Sequence, residues 1–190
     1  MYEKIIVDAD LCIKLGCSEK YRFLFEVLPL ISEKIYMHEH AFSEVLIPES
    51  AQKQLKELVD KDFVSIVSEK DLSKQEKIIY RMAYKMLSEV MIDPSRPNKN
   101  KGETCSLAYA KATGIPIFAT DEKTLQPIID KLLNTGIDDI HCLRIIDIIE
   151  LCRNGKMPLS RKYAKALWRI ASGRKDANDL FDFKIWPVME

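Results

Sequence analysis

The sequence predicts an α/β protein: a three-layer α/β/α arrangement with a central parallel sheet, extended at the C-terminus by a helical segment. Three observations carry that reading. Short runs at residues 5–7, 34–37, 63–67, 115–119 and 140–142 have the length and composition of strands. Stretches with helical periodicity separate them, the pattern of parallel strands joined by crossover helices. The composition, 47% hydrophobic and 31% charged in 190 residues, supports a buried core and excludes a disordered or fibrous chain.

Taken in order, Ile5-Ile6-Val7 stops at Asp8 before a helical stretch, so it reads as a buried central strand. Residues 18–32 read as helix, 34–37 as strand, and 39–46 as helix. Pro48-Glu49-Ser50 opens a further helix that runs to Asp60, and 63–67 is β-branched enough for a strand. Residues 71–91 form the clearest helix. Ile78, Ile79, Met82, Met86, Leu87 and Val90 recur at helical spacing as its expected core face, and Asp71 or Ser73 can cap it.

Residues 93–102 hold two prolines, a glycine and no large apolar side chain, and read as a loop. A helix follows over 103–112, Gly114 ends it, and 115–119 is a strand. Then come helix 124–133, strand 140–142 and helix 144–152. Residues 1–152 thus make one α/β domain and 153–190 a basic extension. In that extension a helix is expected over 156–175. Beyond it Phe181, Phe183 and Ile185 alternate with Asp182 and Lys184 in a strand-like period.

Lysine plus arginine number 29 and aspartate plus glutamate number 29, so a globally basic nucleic-acid binder is excluded. The charge is uneven, however. Residues 153–175 carry eight basic side chains and no acid, whereas 176–190 set one lysine against four acids. Five cysteines without a CxxC pair argue against a disulfide framework and a zinc knuckle. With no apolar run of membrane-spanning length and no export signal, the expectation is a reduced, cytoplasmic protein without a membrane partner.

In parallel sheets ligands bind outside the carboxyl ends of the strands. Asp8 directly follows the first strand, and Asp121 follows the strand at 115–119. Glu103 opens the helix leading into that strand, behind Gly102, and Glu44 lies in the helix after the second strand. Carboxylates meeting at one edge repel one another unless a cation neutralises them, and such hard oxygen donors suit Mg²⁺ or Mn²⁺. Each has a plainer reading: Asp8 and Asp121 as helix caps, Glu103 as a complement to a helix dipole, Glu44 as a solvated residue.

The set resembles the PIN-domain nucleases, in particular small prokaryotic members that include ribonuclease toxins. The matching stretches are Ile5-Ile6-Val7-Asp8-Ala9-Asp10, Ala41-Phe42-Ser43-Glu44-Val45, Gly102-Glu103-Thr104-Cys105-Ser106-Leu107-Ala108-Tyr109-Ala110-Lys111 and Ile115-Pro116-Ile117-Phe118-Ala119-Thr120-Asp121-Glu122. They span about residues 3–152. The resemblance implies a PIN-like fold and Mg²⁺- or Mn²⁺-assisted hydrolysis of RNA, with Asp8, Glu44 and Glu103 as metal ligands. Either Asp121 or Glu122 serves as the fourth acid. It also implies an antitoxin partner and a homodimer. The third acid, commonly Asp, is Glu103 here, which moves that carboxylate outward by a methylene.

Two further readings compete. One is a PIN-like module that binds RNA or protein without cleaving. The other is a phosphatase of the haloacid-dehalogenase class, suggested by Asp8-x-Asp10 but lacking that class's spaced downstream acids; Asp10 reads instead as a cap or a neighbour of the ligands. His38 and His40, two apart before Glu44, read as helix-entrance residues rather than ligands, and His141 as structural.

A phosphodiester must approach carboxylates that repel it, so basic groups nearby are a physical requirement. Lys99 and Lys101, with Arg96, precede Glu103. Arg161, Lys165 and Arg169 form an i, i+4, i+8 stripe on the C-terminal helix, with Trp168 beside it as a base-stacking candidate.

Overall fold

The computed structural model describes residues 1–187; residues 188–190, the end of the predicted extension, lie outside the described residues. Five parallel strands form one sheet: β1 (Tyr2–Val7), β2 (Ser32–His38), β3 (Val64–Val67), β4 (Ile117–Ala119) and β5 (His141–Leu143), in the order β3-β2-β1-β4-β5. β1 is central, with Val7 opposite Met37 on one side and Ala119 on the other.

Both faces of the sheet are covered. Ile5 and Val7 enter one core while Ile6 enters the other, as the two-residue period of a strand demands, and all three are wholly buried. The first core is built with α1 (Ala9–Gly16), α2 (Phe23–Ile31), α4 (Glu49–Asp60) and α8 (Ile145–Arg153). The second lies under α5 (Lys74–Met91), α6 (Lys101–Thr113) and α7 (Leu125–Leu132). The short α3 (Glu39–Glu44) follows β2 directly. This is the expected α/β/α architecture.

Element boundaries differ where local chemistry decides them. The fourth strand starts at Ile117, two residues later than expected, since Pro116 has no amide hydrogen for a ladder. The helix before it starts early: Asn100 takes a left-handed conformation (φ 60°) that turns the loop directly into α6 at Lys101. Ser73 caps α5 through a reciprocal pair with Glu76, as one of the two expected caps.

Two expectations are corrected. Of the six residues expected on the core face of α5 only Leu87 is buried, and the buried face is Tyr80, Ala83, Leu87 and Met91. Ile78, Ile79, Met82, Met86 and Val90 are exposed, between 41% and 63% accessible. Residues 181–185 form a π-helical turn rather than a strand. Phe181 is wholly buried against Trp186, and Asp182 is held by Arg161 and Lys165, so the alternating pattern reports one anchor and one ion-pair acceptor.

The extension is built into the first core. α9 (Arg161–Ser172) buries Ala164, Leu167 and Ala171 there, and its Ser160 cap accepts the Tyr163 amide. All five cysteines are free, as expected, with Cys12, Cys105 and Cys152 buried. Among the described residues no helix is long and apolar enough to cross a membrane.

Candidate active site

β1 to β3 run outward on one side of the sheet and β4 to β5 on the other, so the chain reverses direction between β1 and β4. A crevice opens at such a switch point beyond the carboxyl ends of the strands. Asp8 ends β1 there, and Thr120 and Asp121 follow β4. Their backbones interlock: the Asp8 amide donates to the Ala119 carbonyl at 2.9 Å, and the Thr120 amide to Leu143 at 3.0 Å.

Asp8 occupies the N-cap position of α1 but makes no capping bond with its side chain. It is 1% exposed; Oδ2 accepts a long bond from the Thr120 hydroxyl (3.4 Å), and Oδ1 is buried without a partner. An unpaired buried carboxylate oxygen is expensive. Burial, then the neighbouring charge of Glu103, push the carboxyl up to about 8, with Glu44 and Asp10 adding to the rise and the Ala9 amide opposing it. The capping reading therefore fails for Asp8.

Glu103 stands in the first turn of α6 and is pushed up to about 7, chiefly by burial, then by the charges of Glu122, Glu44 and Asp10. Lys99 acts on it in the opposite direction. Glu44, the last residue of α3, is at the exposed rim. Partial burial raises its carboxyl, and the Gly102 amide, donating to Oε1 at 3.2 Å, partly offsets that rise. A Cβ on Gly102 would stand 2.7 Å from that oxygen, so glycine here permits the close approach of α3 to α6.

Asp8, Glu44 and Glu103 thus share one electrostatic field although they come from three distant segments. Asp10 joins them, which agrees with its reading as a neighbour of the ligands rather than as a cap. Asp121 is engaged differently. Lys14, unnoticed in the sequence, donates to Asp10 (2.8 Å) and Asp121 (2.9 Å), and the Ile145 amide at the start of α8 donates to Asp121 at 3.3 Å. Those hydrogen bonds outweigh burial and raise the Lys14 ammonium above its usual range. Its i, i+4 spacing from Asp10 was a readable signal. Glu122 accepts from the Thr124 amide and hydroxyl, which lowers its carboxyl, while its charge still reaches Glu103.

Of the predicted cationic contacts, Lys99 reaches the field of Glu103, and Lys101 lies beside His40. The stripe Arg161, Lys165 and Arg169 does not join the acids. Arg161 and Lys165 are bound to Asp182, and Lys165 and Arg169 line a separate cavity of about 340 Å³ with Tyr21 and Tyr163. α9 does reach the crevice by another face. Trp168, Ala171 and Ser172, continued by Arg174, wall a groove of about 670 Å³ whose other side holds Lys14, Asp121, Glu122 and Arg144. The Trp168 indole is tied to the Ala177 carbonyl at 3.1 Å.

His38 is buried and caps α3 by accepting the His40 amide on Nδ1, the expected helix-entrance role. His141 lies in β5 with an exposed side chain. Among the described residues no three His, Cys, Asp or Glu side chains stand close enough to form a ready metal-ligand group. No protein-family model, curated protein or solved structure matches this chain.

Proposed function

We propose that the chain is a divalent-cation-dependent ribonuclease of the PIN type. The observation that carries this reading is the convergence of carboxylates at the sheet's switch point, where the charges of Glu103 and Glu44 raise Asp8 and that of Glu44 raises Glu103, with Asp8 Oδ1 buried and unpaired. The donors fit Mg²⁺ or Mn²⁺. They are hard oxygens, and Mg²⁺ is usually held by only one or two carboxylates while it keeps several waters, so a closed cage of ligands is not required.

Asp8 and Glu103 are the residues that would hold the cation, with Glu44 steadied by the Gly102 amide and Glu122 within the field of Glu103. When bound, a cation of this kind lowers the pKa of a water and stabilises charge on a phosphoryl oxygen. Lys14 keeps Asp10 and Asp121 oriented and partly neutralised. Lys99 offsets the repulsion that the carboxylates present to an approaching phosphodiester. A reducing, cytoplasmic setting suits the five free cysteines. The antitoxin and the second copy that the resemblance implies belong to this reading too, and the exposed stripe of α5 is an apolar surface they could use.

The test is cleavage of a panel of single-stranded RNAs with Mg²⁺, Mn²⁺ or chelator. Wild type should cut only with cation, and Glu103→Gln should lower the rate roughly 100-fold or more while RNA binding persists. Gly102→Ala forces the Glu44 carboxylate aside. It should reduce cleavage about tenfold yet shift stability by under roughly 1 kcal/mol, because the atoms displaced are the end of a flexible side chain. Denaturation alongside kinetics checks both halves.

One observation favours a second reading, a module that binds RNA without cutting it: the Lys14 ammonium already lies between Asp10 and Asp121. RNA binding without cleavage under any divalent cation would select it. A phosphatase of the haloacid-dehalogenase class is disfavoured by the 1% exposure of Asp8, which would have to act as a nucleophile.

A further inference from the structure

A second cavity, of about 260 Å³, opens between α3, α5 and the start of α6. His40, Tyr80, Tyr84, Arg81, Lys101 and Glu69 are among its lining residues. Four rings make a column of nearly parallel planes: His40 on His38 (5.4 Å, 12°), His38 on Tyr80 (6.4 Å, 12°), and Tyr80 on Tyr84 (6.1 Å, 16°). The inner two are buried, and the outer two, His40 and Tyr84, are partly exposed at the cavity. Tyr109 meets His38 edge-on and fixes the column from the side.

The cavity shares its framework with the carboxylates. His40 lies four residues before Glu44 on α3, and Lys101 lies two before Glu103 on α6. Cys105, which also lines the cavity, lies within the field of Glu44, so the cavity adjoins the Glu44 side of the carboxylate group. Aromatic faces stack bases of any identity, and cations pair with the phosphate that joins them. Lys101 and Arg81 supply the cations, and Glu69, already paired with Arg81, supplies an acceptor at the rim.

We infer that this cavity holds one nucleotide of a single-stranded RNA, its base on the partly exposed ring of Tyr84 and its phosphate on Lys101 and Arg81. The inference rests on the ribonuclease reading for the choice of occupant and goes beyond it in assigning the site. Nothing in that reading required aromatic residues, and neither histidine nor tyrosine was expected to touch substrate.

The experiment measures anisotropy of a labelled short single-stranded RNA with chelator present, so that binding is read without cleavage. Tyr84→Ala should weaken binding about tenfold, and Tyr84→Phe, which keeps the ring, should stay within about twofold of wild type. Lys101→Gln should weaken binding and reduce its salt slope by about one phosphate contact. Arg81→Gln, at an exposed position, guards against a fold defect in either variant and should act in the same direction.

Unchanged affinity in Tyr84→Ala and Arg81→Gln, both folded by circular dichroism, would overturn the proposal. A nucleoside 5′-monophosphate should compete only at far higher concentration than the RNA; competition at equal concentration would assign the cavity to a free nucleotide and overturn it as well. Cleavage of the same RNA with Mn²⁺ separates the two claims. Cleavage with unchanged KM in Tyr84→Ala sinks the cavity proposal and spares the nuclease. Loss of affinity in Tyr84→Ala without cleavage by wild type sinks the nuclease and supports the cavity.

Discussion

Asp8→Asn is expected to stabilise the cation-free protein at pH 9 while abolishing cation-dependent cleavage. The Asp8 carboxyl rises from an ordinary 3.8 to about 8 on folding, so between those pH values the native state holds a proton that the unfolded chain has lost. Stability from this group is complete below about pH 4 and is lost as pH rises through about 8. Glu103, pushed up to about 7, adds to the same decline from its ordinary 4.5. Asparagine keeps the shape and removes the titration. At pH 9 the variant should therefore gain stability, with a ceiling of roughly 5 kcal/mol set by the rise of Asp8 from 3.8 to about 8. At pH 4 the two proteins should differ little. Denaturant unfolding at pH 4, 7 and 9 in chelator reads this directly. Cleavage should fall at least roughly 100-fold. Mn²⁺ should stabilise wild type at high pH and leave the variant much less affected. A variant weaker than wild type at pH 9 would contradict the burial of an unpaired carboxylate.

Gly16→Ala should produce the largest loss of stability of any single methyl addition at the glycines. Gly16 ends α1, and a Cβ there would stand 2.5 Å from Ala51 Cα and 2.6 Å from Ala51 Cβ on α4. Backbone is the obstacle, so the helices must separate. The contact is also polar: the Gly16 carbonyl accepts from Ser50 Oγ at 2.7 Å and Gln54 Nε2 at 3.3 Å, satisfying the end of α1. Overpacking of this kind costs about 3 kcal/mol, against a helix-propensity gain of under roughly 1 kcal/mol. Urea denaturation would show it as a lower midpoint. An unchanged midpoint would mean that α1 and α4 are not in contact at Gly16. The contrast with Gly102→Ala is physical: there a mobile carboxylate yields, here a main chain cannot.

The order of strands and helices was legible because each apolar run is short and each helix carries its own period. Strand ends were less so: β4 starts only at Ile117, because Pro116 cannot donate to the ladder, although Ile115 is as apolar as the strand residues. The face of α5 was misread because an i, i+4 row of aliphatic residues has the same period whether it meets the core or water. The buried row, Tyr80, Ala83, Leu87 and Met91, is less hydrophobic but shaped to fit under α6. At the crevice, Asp8 and Glu103 were singled out by their positions at a strand end and a helix start, and Glu44 by its place in the helix after the second strand; that Glu44 is the last residue of that helix is not visible in the sequence. The link from Lys14 to Asp121 spans 107 residues, and nothing local announces it. The ring column was hidden for the same reason: His38, Tyr80 and Tyr109 meet only through the tertiary fold.

The outer row of α5 has a chemical consequence. Two of its members, Met82 and Met86, are 63% and 41% accessible, whereas Met37, Met91 and Met157 are buried at 7% or less. A thioether in water is open to peroxide, and its sulfoxide is polar. Mild oxidation therefore turns a greasy ridge into a hydrophilic one from within the same side chains, and it leaves the interior methionines intact. The surface character of this helix is a redox-sensitive property, separable from the integrity of the fold beneath it.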